Sequence, residues 1–169
     1  MAADVVDQVA DARDETIGDR MEPSMWMQTV AAWIVPVKSD LVMAGGVLSA
    51  ITAVFHLTFW RRFNWRQDLR SLTFVNRGMV QILNLSVAFV LAIFAYLSLA
   101  LADDLTSSQL GSRLLALITL FWLARAVEQA VFFRLRRRSS RVSFVIFLLG
   151  GSLYGAPALV ALWRELAST

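Results

Sequence analysis

Between Val75 and Ala102 the chain carries a single charge, Arg77, and its other strongly polar side chains, Asn76, Gln81 and Asn84, all fall in the first third of the run. As a helix rising about 1.5 Å per residue, such a run more than crosses the roughly 30 Å hydrocarbon core of a bilayer. On a wheel of about 100° per residue, Gln81 and Asn84 lie within roughly 20–40° of Arg77. Ala88, Ala92, Ala95 and Ala102 continue that stripe, interrupted by Leu99. One face of the predicted helix thus passes from hydrogen-bonding groups to small residues.

Three further apolar runs have spanning length. The first covers about 41–60, with His56 as its ionisable group, and Gly45, Ser49, Ala53 and His56 share a face of small residues that lets another helix approach closely. The third covers about 112–133, with Arg113 at its mouth, Arg125, Glu128 and Gln129 near its far end, and Phe121, Trp122, Arg125, Gln129 and Phe132 on one side. The fourth covers about 143–163, where Gly150, Gly151, Gly155 and Pro157 predict close packing and a kink. The second is the run already described, about 75–102. Ahead of them, residues 25–37 are apolar with Trp26 and Trp33 on one face, but the twelve from Met25 to Pro36 cover only about 18 Å, too short to span. They predict a helix lying in the headgroup region, where indoles are favoured, or packed on the bundle as a lid. Residues 1–24 are polar and acidic and predict a solvated, disordered tail with no secretory signal.

Composition agrees with this pattern. A hydrophobic share of 57% over 169 residues exceeds the roughly 45–50% of soluble domains. The fold class expected is all-α: a polytopic integral membrane protein, a four-transmembrane-helix bundle over 38–169 with a short N-terminal interfacial helix.

Charge placement gives an orientation. The connection after the first span holds Arg61, Arg62, Arg66 and Arg70 against Asp68, with Trp60 and Trp65 at interface depth; that after the third holds Arg134, Arg136, Arg137, Arg138 and Arg141. The turn near Asp103 and Asp104 has no basic residue before Arg113. By the positive-inside bias both arginine loops are expected in the cytoplasm and both termini on the exterior face of a cell membrane. The partners expected are membrane lipids, with anionic headgroups at the arginine loops, and a membrane-protein partner; nucleic acid is not expected.

In this topology His56, Arg77, Gln81, Asn84, Arg125, Glu128 and Gln129 all sit in the cytoplasmic leaflet. Polar groups within a span are costly, so they are expected to face inward and find partners. Arg77 has no obvious carboxylate of its own there. With no cysteine there is no thiolate nucleophile, disulfide or Cys-ligated metal. One histidine does not supply two axial haem ligands, and His56 with Glu128 is too few for a zinc site. Ser49 and His56 stand two helical turns apart with no acidic orienter, and no Gly-rich phosphate loop precedes a helix. Enzymatic activity is not the favoured expectation, and no cofactor or metal is expected. Two readings remain. In one, these seven residues bind an anionic lipid, quinone or carboxylate; in the other, the chain is a structural or accessory subunit and the same groups only hold helices together.

Overall fold

A computed structural model describes residues 23–167 and places the described residues in helices and short connections. The acidic tail expected over 1–24 lies outside them, save for Pro23 and Ser24. The chain divides into two units, residues 1–36 and 37–169.

In the first unit, α1 runs Pro23–Ile34 and leads into a 3-10 turn, Val35–Val37. Proline suits the first helical position, where the missing N–H has no intrahelical partner to lose. Thr29 returns its hydroxyl to the Met25 carbonyl at 3.1 Å, and Trp26 and Trp33 are exposed.

In the second unit, α2 is Lys38–Leu57, α3 Phe59–Arg62, α4 Trp65–Asp68, α5 Phe74–Ala100, α6 Ala102–Ser107, α7 Gln109–Phe133 and α8 Arg138–Ala167, with a 3-10 turn at Leu69–Ser71. Four helical stretches are long and apolar enough to cross a membrane: Met25–Leu57, Phe74–Ala100, Gln109–Phe133 and Arg138–Ala167. The first counts from Met25 and so includes the residues expected as an interfacial helix, with Pro36 in the 3-10 turn Val35–Val37. Large apolar side chains cover the outside, with Ile82, Phe89, Leu117 and Val131 all more than 60% exposed. Exposed apolar side chains in such number fit helices whose length and composition suit a membrane.

Helix ends are set by local chemistry. The Thr73 hydroxyl accepts from Asn76 N at the start of α5, and the Ser108 hydroxyl from Gly111 N at the start of α7. At the other end of α7, Arg134 and Leu135 take positive φ, 52° and 43°, and turn the chain into the arginine loop. Helix α2 packs along α5, α7 along α8, and α2 also meets α8. Helices α5 and α7 approach through Phe94 and Phe121, rings 5.1 Å apart edge-to-face. Away from the arginine loops, Lys38 donates to the Thr106 carbonyl (2.9 Å), Ser39 donates to Asp103 (2.8 Å), and Arg113 pairs with Glu165 (3.3 Å).

The core is built around two large side chains, Trp122 and Tyr154, both essentially inaccessible. Each lies against a glycine on a neighbouring helix. A Cβ on Gly150 would stand 2.4 Å from Trp122 Cδ2, and one on Gly45 2.7 Å from Tyr154 Cζ, so only glycine admits these rings. The Tyr154 hydroxyl lies 3.1 Å from Ser49 Oγ and 2.9 Å from Ser98 Oγ, joining α8, α2 and α5 through one buried oxygen. Trp122 Nε1 is buried with no acceptor among the described residues.

Candidate functional site: a cationic, indole-walled cavity

The connection between α2 and α5 folds around an aromatic ladder. Phe59 stacks on His56 at 4.6 Å and meets Phe55, Phe63 and Trp65 edge-on at 5.1, 4.9 and 6.0 Å, while Trp65 reaches Trp60 at 5.9 Å. A left-handed Asn64 (φ 46°) reverses the chain between α3 and α4, and its side chain donates to Gln67 at 2.8 Å. Asparagine tolerates this conformation better than most residues.

Arg77 then fixes the segment to α5. Its Nε donates to the Leu69 carbonyl at 3.0 Å, and Nη2 reaches the Arg70 and Leu72 carbonyls, each at 3.4 Å. Leu69 opens the 3-10 turn and its carbonyl also accepts from Leu72 N at 3.2 Å, while Leu72 follows the turn, so the one guanidinium holds both ends of the turn. Arg77 was expected to lack a carboxylate, and it has none among the described residues; loop carbonyls take its place.

The fold of this segment shapes an open cavity of about 390 Å³ lined by Trp60, Trp65, Arg66, Leu69, Arg70, Arg77 and Gln81. Its size is near the lower end of the roughly 300–1,000 Å³ of small-molecule sites. The ion pairs among the described residues are Arg113–Glu165 and Arg125–Glu128, so none of the three lining guanidiniums is neutralised by a described carboxylate. Arg66 and Arg70 are exposed, and Gln81 is half-buried one turn further into α5.

The seven residues singled out from the sequence separate into four places. Arg77 and Gln81 line the cavity. His56 and Asn84 form a reciprocal pair: Nδ1 meets Asn84 Oδ1 at 2.8 Å, and Asn84 Nδ2 donates to the His56 carbonyl at 3.0 Å. Because Oδ1 can only accept, Nδ1 carries the proton. Arg125 bonds to Glu128, and its guanidinium lies 5.6 Å over the Phe147 ring. Gln129 donates to Ser140 Oγ at 2.9 Å, tying α7 to the start of α8. The last three are closed arrangements between or along helices, not parts of the cavity lining.

Five of the lining residues, Trp60, Trp65, Arg66, Leu69 and Arg70, belong to a stretch whose composition signalled only a headgroup-facing loop. Their convergence with Arg77 depends on the turn at Asn64 and on backbone carbonyls, neither visible as a residue pattern. Among the described residues no group of three or more His, Cys, Asp or Glu side chains could hold a metal. No family model matches this chain, and neither a curated protein nor a solved structure does.

Proposed function

We propose that the chain is an integral membrane protein that binds the anionic head of an amphiphile in the cavity between α3, α4 and the start of α5. In this reading residues 38–169 form a bundle of four spanning helices, residues 25–37 lie in the interface, and the arginine loops face the cytoplasm with Asp103, Asp104 and the C-terminus opposite. The observation that carries it is that Arg66, Arg70 and Arg77 line one cavity together with Trp60 and Trp65, and none of the three arginines forms an ion pair with a described carboxylate. Guanidiniums recognise carboxylate and phosphate oxygens by paired hydrogen bonds, and tryptophan favours the membrane–water boundary where lipid headgroups lie. A neutral quinone would leave the charges unanswered, so an anionic lipid or carboxylate amphiphile fits better.

A structural or accessory role is the second reading. It is favoured by the closed pairings of His56 with Asn84, Arg125 with Glu128 and Gln129 with Ser140, which use up most of the intramembrane polar groups as helix-to-helix links or local neutralisation. Native mass spectrometry of the protein in mild detergent separates the two. The binding reading expects anionic lipid retained by wild type and lost from Arg66→Gln/Arg70→Gln; an adduct pattern that is the same in both proteins leaves the accessory role.

A further inference from the structure

The geometry of the cavity points beyond a generic anion. Building on the anionic-amphiphile reading, we infer that it takes a phosphate bearing two negative charges, as a lipid phosphomonoester headgroup or as a free phosphomonoester. Three observations lead there.

The three guanidiniums come from three separate elements: Arg66 from α4, Arg70 from the 3-10 turn and Arg77 from α5. A planar carboxylate offers two oxygens in one plane, whereas a phosphomonoester offers three terminal oxygens spread in space, a better match for three donors carried on three different elements.

Charge balance favours the dianion. Three like charges around about 390 Å³ repel one another; no described carboxylate forms an ion pair with them, and Asp68, between Arg66 and Arg70 in the chain, is not among the lining residues. A singly charged diester leaves two positive charges uncompensated, while a monoester, at about −1.5 to −2 near pH 7, leaves roughly one.

The donors are also divided between fixed and available ones. Arg77 is held by the carbonyls of Leu69, Arg70 and Leu72, so its position needs no further ordering when a ligand arrives. The side chains of Arg66 and Arg70 are exposed and make no hydrogen bond among the described residues, so their donors remain open to a ligand. Trp60 and Trp65 line the same cavity, and their apolar rings suit the glycerol backbone that a lipid headgroup carries.

The test uses the full chain in phosphatidylcholine nanodiscs doped, in separate arms, with equal mole fractions of phosphatidic acid, phosphatidylglycerol or phosphatidylserine. Retained lipid is counted by native mass spectrometry after ejection. Phosphatidic acid is expected to be retained roughly fivefold or more over the two diesters, the ratio that one further charge near a basic residue supplies. That preference is expected to vanish in Arg66→Gln/Arg70→Gln and to persist in Arg136→Gln/Arg137→Gln, which removes as much charge outside the cavity. Displacement of phosphatidic acid by soluble glycerol phosphate supports the same dianion chemistry and assigns it to a free ligand; resistance assigns it to the lipid. Equal retention of all three lipids, lost in the cavity variant, overturns the dianion inference and leaves the anionic-amphiphile reading standing. Retention unaffected by the cavity variant overturns both.

Discussion

Asn84 on α5 closes on His56 of α2 through two hydrogen bonds, accepting from the ring Nδ1 at 2.8 Å and donating to the His56 backbone carbonyl at 3.0 Å. That carbonyl belongs to the last turn of α2, where it lacks a full complement of helical partners. The pair therefore does two tasks, fixing the imidazole tautomer and holding two helices together just inside the point where the chain leaves α2.

Replacing Asn84 by Leu removes both bonds while roughly keeping the volume. A loss of about 1–2 kcal/mol in unfolding free energy is expected, within the span measured for interhelical hydrogen bonds in membranes. Thermal or denaturant unfolding in detergent measures it. No change in stability would show that the pair holds nothing.

Much of the architecture is legible in the apolar runs because a helix in a bilayer must satisfy its own backbone and expose apolar side chains all round. The limits of that legibility lie at particular residues. The first span was expected to end at Trp60, but α2 stops at Leu57, where the Thr58 hydroxyl takes the Phe55 carbonyl at 2.7 Å and the next turn begins anew. The span expected at about 143–163 falls inside a longer helix, α8 over Arg138–Ala167, whose arginine-bearing first turn hydropathy discounts although a helix readily accepts arginine. The polar face of α5 is visible as a wheel pattern through Arg77, Gln81 and Asn84, yet their partners are not. Leu69 and Arg70 contribute backbone oxygens, which no side-chain pattern reports. Tyr154 was not singled out at all, since its partners Ser98 and Ser49 lie 56 and 105 residues away.

The Tyr154 site has a proton count of its own. Ser49 Oγ can donate to the Gly45 carbonyl at 2.8 Å and Ser98 Oγ to the Phe94 carbonyl at 2.7 Å, while both also contact the tyrosine oxygen. Three hydroxyl protons thus serve four contacts, and each serine retains a carbonyl partner if the tyrosine hydroxyl is lost. Tyr154→Phe is expected to cost only about 1 kcal/mol. Tyr154→Ala, which empties a fully buried ring site, is expected to cost about 3–5 kcal/mol. Unfolding curves for the two variants check the difference; equal losses would mean that the hydroxyl, and not the ring, holds these helices.

Glycines at two depths give a paired test of the packing. Gly150→Ala would push a Cβ to 2.4 Å from Trp122 Cδ2, against a ring that is 1% exposed, and a destabilisation of about 1–3 kcal/mol is expected. Gly78→Ala meets nothing within 4 Å on α5 and is expected to be neutral, or stabilising by up to about 1 kcal/mol through helix propensity. Melting temperatures in the same detergent compare them directly, and a loss at Gly78 as large as at Gly150 would contradict the packing.

The proposed sidedness is checked by reporter fusions. Fusions after Arg66 and after Arg138 are expected to report the cytoplasm, and fusions at Asp104 and Thr169 the exterior, because short loops rich in arginine resist translocation. A cytoplasmic signal at Asp104 would break the four-span arrangement.

The most direct test of the cavity is thermal unfolding of wild type and Arg66→Gln/Arg70→Gln in neutral detergent micelles, each with and without added phosphatidic acid. A ligand that binds only the folded protein stabilises it in proportion to its occupancy, by about 2.7 kcal/mol at a hundredfold excess over Kd. Wild type is expected to melt several degrees higher with the anionic lipid, and the variant to melt at the wild-type lipid-free temperature whether or not the lipid is present. An equal upward shift in both proteins would contradict a binding site at Arg66, Arg70 and Arg77.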